Sequence, residues 1–262
     1  MTKIAILIAD SNEPFFQNLK YEIYESAWSE FRENGIDVFY IIGKGNKRWL
    51  QKIDQKIEEM RYSKIWPIQY LIDNLTLFKY RFSKPEVQFK NDLIEVDIPE
   101  GLKYLTVKIL AGLDALSRKK YDFVFRTTLS TVLNYNYFTK IVSEFASKEK
   151  IYAGYLIDFN ENKFISGASS LLSRGTIEIL IKNRNKLNFG RLDDVAFGRI
   201  LESKIDPISL PHANFSTPEE VQNLSIDELY DCMSYRCKSS FTPRNDDIIA
   251  KTLLKRFSKK QN

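Results

Sequence analysis

Histidine is almost missing from this chain: His212 is the only one in 262 residues, and there are two cysteines, Cys232 and Cys237. With no second cysteine pair and no further histidine, neither a His/Cys metal framework nor a disulfide-stapled scaffold can be assembled. The two thiols read instead as small buried residues of a cytosolic protein. Long apolar runs are missing too, since no stretch approaches the ~20 residues that a membrane-spanning helix needs. The opening MTKIAILIADSNE reaches Asp10 and Glu13 early and carries no small-residue cleavage pattern, so it does not read as a signal peptide. An excess of one charge is also lacking. The net charge is +5, and only Lys251 to Lys260 concentrates it. That tail reads as a solvated helix face, with contact to anionic lipid at the inner face of a membrane, or to nucleic acid, as the alternatives. Elsewhere acids and bases are interspersed, without the basic stripe of a nucleic-acid binder.

What is present is a hydrophobic fraction of 44%, enough for a packed core, with 14 Tyr and 18 Phe. No internal repeat or low-complexity linker divides the chain, so residues 1–262 are expected to form one domain. Lys3 to Ala9 is a strand-length apolar run ending in the polar loop Asp10-Ser11-Asn12-Glu13-Pro14. Apolar residues from Phe16 to Phe31 at three-to-four spacing predict an amphipathic helix, and Asn34-Gly35 supplies its stop. Asp37 to Ile42 is a second strand, so strand, helix and strand make a parallel βαβ unit. Gly43 to Asn46 (GKGN) lacks the residues of a phosphate loop and reads as a turn.

Residues 47–90 are expected to be an insertion packed over one sheet edge, and 207–262 a C-terminal extension of loops and two helices. Between them, Asp92 to Val96 is a strand, Leu105 to Leu116 a helix, and Tyr121 to Phe125 a buried strand. The last exits at the polar Arg126-Thr127-Thr128-Leu129-Ser130. Because ligands of open α/β sheets sit beyond the carboxyl ends of strands, this exit is a candidate binding edge. Phe164 then begins a short strand, followed by a small-residue turn (Ser166, Gly167, Ala168, Ser169), a helix, and Asp193-Asp194 opening another helix. Two acids at that position are also what a helix start looks like.

Five segments in order, Asp92 to Asp97, Tyr104 to Lys108, Tyr121 to Phe125, Phe164 to Ala168 with Leu172-Ser-Arg174, and Leu192 to Gly198, resemble the β-1,3-glycosyltransferases of the galactosyltransferase and Fringe type. The resemblance covers about residues 92–212. It implies a GT-A-like α/β/α sandwich with a mostly parallel central sheet and a nucleotide-sugar donor, a UDP-sugar, lying across the strand ends. It also implies inverting transfer to a hydroxyl of a glycan or lipid-linked saccharide, with Asp194 as the base and Asp193 as the second choice. Ser166, Gly167 and Ala168 would lie beside the acceptor and donor sugar, although a glycine there also suits a turn or a close backbone approach.

The chain departs from the family at Arg126 to Ser130, where an Asp-X-Asp motif would hold Mn²⁺ or Mg²⁺ on the diphosphate. Three outcomes are open: metal-independent transfer, recruitment of a divalent cation by other groups, or loss of activity, leaving an inert nucleotide- or sugar-binding protein. The first is favoured, with Arg126 on the phosphates and Thr127, Thr128 and Ser130 adding hydrogen bonds. Lys108, Arg236, Lys238 and Arg244 are further donor-side candidates. Asp10, Ser11 and Asn12 are candidates for the nucleoside, or ordinary turn formers. His212 stands where the family has a metal- or diphosphate-binding histidine, or is a structural loop residue.

Overall fold

The computed structural model describes residues 2–11, 14–21, 25–45, 77–159, 162–240 and 244–258. In chain order these form β1 (Ile4–Ala9), α1 (Pro14–Leu19), α2 (Glu25–Glu33), β2 (Asp37–Gly43), β3 (Val87–Lys90), β4 (Leu93–Val96) and α3 (Leu105–Arg118). There follow β5 (Phe123–Thr128), β6 (Thr131–Leu133), α4 (Tyr135–Phe145), β7 (Tyr152–Phe159), β8 (Asn162–Ser173), α5 (Arg174–Lys182) and α6 (Asp193–Leu201). The C-terminal part holds β9 (Ile208–Ser209), β10 (His212–Phe215), α7 (Pro218–Gln222), α8 (Ile226–Tyr230), β11 (Ser234–Cys237) and α9 (Asp246–Ser258).

β1 is apolar along its length because both of its faces are covered, as is usual for a central parallel strand. It lies between β2 and β5, parallel to both, in an eight-stranded sheet ordered β3-β4-β2-β1-β5-β8-β7-β9. The pairs β2/β4 and β7/β9 are also parallel, while β3/β4, β5/β8 and β7/β8 are antiparallel. Period-two alternation sends Ile6, Ile8, Tyr40, Phe123 and Phe125 to one core layer, against α2, α4 and the second sheet. Ala5, Leu7, Phe39, Ile41 and Val124 face the other layer, with α3, α5 and α6. The result is an α/β/α sandwich with a mostly parallel central sheet. No helix among the described residues is long and apolar enough to cross a membrane.

A second sheet, β10-β11-β6, forms where the C-terminal segment returns. β11 pairs antiparallel with β6, just past the end of β5, and thereby brings Arg236 beside Thr131. Capping boxes start both short helices here, Thr217 with Glu220 and Ser225 with Glu228.

Several local expectations change. The segment expected as loops and two helices also contributes β9, β10, β11 and the short helix α7, because its proline-flanked runs find open strand edges to pair with. Residues 46–76, most of the expected insertion, lie outside the described residues, and the insertion's last residues, Val87–Lys90, are an edge strand of the sheet itself. The single helix expected from Phe16 to Phe31 is represented by α1 and α2 on either side of residues 22–24, which are not described. Arg126, Thr127 and Thr128 belong to β5 rather than to a loop beyond it. Ser166 to Ser169 form no turn, since β8 runs through them to Ser173, paired with β5 and β7.

Candidate functional site

Parallel register sets Ile8 beside Thr127 and Ala9 beside Thr128, so the C-terminal ends of β1 and β5 open at one place. A cavity of about 510 Å³ lies there, closed by Glu100 to Leu102 after β4, by Leu105 and Lys108 of α3, by β8 and the start of α6, and by Arg236, Lys238 and Arg244. This is where the ends of parallel strands place ligands in open sheets.

α6 reaches this mouth because Gly198 lets it lie directly on β8: a Cβ there would run into the Cβ of Phe164. Its first residue, Asp193, is 2% exposed and faces Arg126, which is 3% exposed. Arg126 Nη2 donates to Asp193 Oδ1 at 2.9 Å, and Nε lies 2.9 Å from Oδ2, an ion-pair contact without the alignment of a hydrogen bond. Nη1 of the same guanidinium donates to the carbonyl of Gly167. Burial pushes the Asp193 carboxyl up to about 6, against the opposing pull of Arg126.

Asp194 is half-buried and lines the cavity. Its Oδ2 accepts the Gly167 N–H at 3.0 Å and its Oδ1 accepts the Val195 N–H at 2.8 Å. Both bonds come from backbone, so the carboxylate is fixed in place without a cation.

The remaining charges sort by whether they have a partner. Asp10, 4% exposed, binds Lys20 at 3.1 Å and accepts from the Ser11 N–H at 2.7 Å. Lys108, carried by the buried helix α3, donates to Glu100 at 2.6 Å and to the Asp10 carbonyl at 2.8 Å. Arg244 pairs with Asp246 and sits over the rings of Phe15 and Phe16. Among the described residues Arg236 and Lys238 have no such partner, and Arg236 Nε is buried without a hydrogen bond. Burial holds the Arg236 guanidinium below its usual range, and neighbouring Arg126 and Arg244 add to that. Lys238 is lowered by burial and by Arg236 and Arg244. With internal pairs set aside, the cavity retains one carboxylate, Asp194, and two cations, Arg236 and Lys238.

The cavity therefore gathers most of the residues nominated from sequence: Asp10, Ser11, Lys108, Arg126, Thr128, Ser130, Ser166 to Ala168, Asp193, Asp194, Arg236, Lys238 and Arg244. Thr127 is not among them. Strand parity turns it to the opposite face of β5, where its Oγ1 donates to the Ala168 carbonyl at 2.7 Å. Asn12 lies outside the described residues. His212 stacks on Tyr155 at 4.3 Å and shares a 2.7 Å hydrogen bond with Ser234 Oγ. Burial lowers its imidazole from 6.5 to about 4, which keeps it neutral.

No group of three or more His, Cys, Asp or Glu side chains among the described residues is arranged to hold a metal ion. At the strand ends the buried carboxylate of Asp193 is ion-paired with Arg126 and that of Asp10 with Lys20. Among the described residues, the donor set there does not fit a resident divalent cation.

Phe16, Glu100, Leu102, Leu105 and Leu192 line the cavity without having been nominated. Glu100 was open to discovery, because Pro99-Glu100-Gly101 follows a strand of the same sheet, whose carboxyl end points to the same edge. Leu102 and Leu192, 51% and 45% exposed, carry no signal in a single sequence that separates rim from core.

No family model matches the chain, and no curated protein matches it. Among solved structures, the chain is similar to a glycosyltransferase involved in the glycosylation of the major capsid of PBCV-1, with 8% identity and a TM-score of 0.43 over 96% of this chain and 99% of that one. It is also similar to the glycosyltransferase GlyE of Streptococcus pneumoniae TIGR4, with 10% identity and a TM-score of 0.40 over 99% of this chain and 65% of that one. Likeness this slight carries no residue roles from either protein to this chain.

Proposed function

We propose that the protein is an inverting glycosyltransferase that takes a sugar from a nucleotide sugar, a UDP-sugar by the resemblance of its motifs, and passes it to a hydroxyl of a glycan or lipid-linked saccharide. The observation that carries this reading is the charge left over in the cavity: a backbone-held carboxylate, Asp194, on the wall built by β8 and α6, and two unpaired cations, Arg236 and Lys238, on the wall built by β11.

A single displacement needs such a division. The acceptor oxygen attacks the anomeric carbon and its proton passes to the Asp194 carboxylate. The bond from that carbon to the phosphate oxygen breaks, and the nucleoside diphosphate leaves with the electron pair. Inversion follows from attack opposite the leaving group. Arg236 and Lys238 would offset the charge that grows on the diphosphate, an interaction strongest in a site from which water is excluded. Thr128 and Ser130, at the end of β5, could add neutral hydrogen bonds. The donor's nucleoside fits the end of β1, beside Ser11 and Phe16. Exposed Leu102 and Leu192 give the mouth an apolar flank suited to an acceptor attached to lipid.

Incubation with a panel of nucleotide sugars and simple saccharide acceptors, with and without EDTA, tests the reading. Turnover of one donor, lowered by about 10³-fold in Asp194→Asn and indifferent to EDTA, is the expected result. The competing reading, an inert binder on the same scaffold, is favoured by the lack of a metal-binding carboxylate set at the end of β5. It would be upheld by tight UDP-sugar binding with no turnover of any donor.

A further inference from the structure

Arg126 stands where the resembled family keeps its metal-binding motif, and on charge alone it is the natural phosphate ligand. Its surroundings argue otherwise. Both faces of its fork are used: two nitrogens lie 2.9 Å from the Asp193 carboxylate oxygens, and a third atom, Nη1, is bound to the Gly167 carbonyl. Gly167 in turn donates its N–H to Asp194 at 3.0 Å. Asp193 and Asp194 are consecutive, so the contacts close a ring: Asp194, Gly167, Arg126, Asp193 and back.

The same ring accounts for glycine at position 167. A Cβ there would lie 2.6 Å from the Arg126 Cζ, and the guanidinium, ion-paired and buried, cannot swing aside without giving up Asp193. The missing side chain thus makes room for Arg126, before any room it leaves for a sugar.

We infer that Arg126 is a positioning residue: clamped between Asp193 and Gly167, it holds the Gly167 N–H and the start of α6 so that the Asp194 carboxylate is aimed at the acceptor, and it does not bind the donor phosphates. The inference rests on the transferase reading for what Asp194 does. The ring itself is independent of that reading. Removing the guanidinium should therefore change the rate with bound substrates and leave the affinity for the leaving group alone.

The test uses Arg126→Lys and, because a lone buried Asp193 could prevent folding, the charge-balanced pair Arg126→Met with Asp193→Asn. Calorimetric titration with UDP gives the affinity, and kcat and KM are measured with the donor that the wild type turns over. Expected is a kcat lower by about 100-fold, the scale of a misplaced reacting group, with UDP affinity within about 3-fold of wild type and Arg236→Met showing the opposite split. UDP affinity lowered as far as in Arg236→Met, with kcat at saturating donor unchanged, would overturn the proposal. A thermal arm needs no turnover: Gly167→Ala should lower Tm in the wild type and do so less than half as much in the charge-balanced double variant. An equal loss in both backgrounds would show that Arg126 is not what position 167 accommodates. Absence of any turnover in the wild type would sink the transferase reading, whereas equal thermal losses would sink this one.

Discussion

The two charged walls of the cavity are built on opposite plans. On the wall of β8 and α6, each buried charge is answered: Arg126 by Asp193 and the Gly167 carbonyl, Asp194 by two backbone N–H groups. On the wall of β11, Arg236 and Lys238 are cations beside other cations, and among the described residues no carboxylate forms a hydrogen bond or ion pair with them, although Asp194 and Asp246 lie close enough to attract Arg236 and Asp246 to attract Lys238. Partnered charge fixes geometry and is a part of the scaffold. At Arg236, which is partly withdrawn from water, unpartnered charge is an energetic cost that an anionic ligand would relieve, and Lys238 is an exposed cation beside it, so the two walls are assigned to positioning and to binding respectively.

The sharpest way to break this contrast is Asp194→Asn. There kcat should fall by about 10³-fold, within the range for a general base, with UDP affinity retained in calorimetric titration. A comparable loss of UDP affinity would mean that the carboxylate serves binding instead. Stability separates the walls next. Arg126→Met strands a buried carboxylate and should cost about 3–5 kcal/mol in urea denaturation. Arg236→Met removes a cation from a repulsive cluster and should leave stability within about 0.5 kcal/mol, or raise it. For ligand binding the order reverses: Arg236→Met should weaken UDP roughly 10- to 100-fold, the loss of a hydrogen bond to a charged group.

The smallest effect concerns His212, behind the β11 wall. As the only histidine it gives one imidazole signal, which should titrate near about 4 in proton NMR and be unmoved by UDP or Mn²⁺. The sign of its linkage follows from the lowered value. The folded state prefers the neutral ring, so the stability it contributes is present above the ordinary 6.5 and is lost as pH falls through that value toward about 4. His212→Gln should therefore flatten the wild type's loss of stability over that interval. A midpoint near 6.5 that shifts with Mn²⁺ would put the ring in a metal site after all.

What a reader of the sequence could see divides along physical lines. β1, β2 and β5 were legible because central parallel strands are continuous apolar runs, and α3 because its apolar spacing is helical. Asp193-Asp194 at a helix start was legible from the apolar residues that follow. Ser166 to Ser169 looked like a turn because small polar residues favour turns locally, yet pairing with β5 and β7 on both sides overrides that preference. β9, β10 and β11 were missed because short strands are made by their partners more than by their own residues. Arg126 illustrates the limit best. Its presence at a strand end could be read, but its commitment to Asp193, sixty-seven positions away, depends on how close Gly198 lets α6 approach β8.

The most direct test of the account is a crystal structure of the protein with UDP bound. Expected are the β-phosphate within hydrogen-bond reach of Arg236 and Lys238, the Arg126–Asp193 pair intact, and the Asp194 carboxylate facing open space where the acceptor would sit. A phosphate held by Arg126, with Asp193 released, would contradict it.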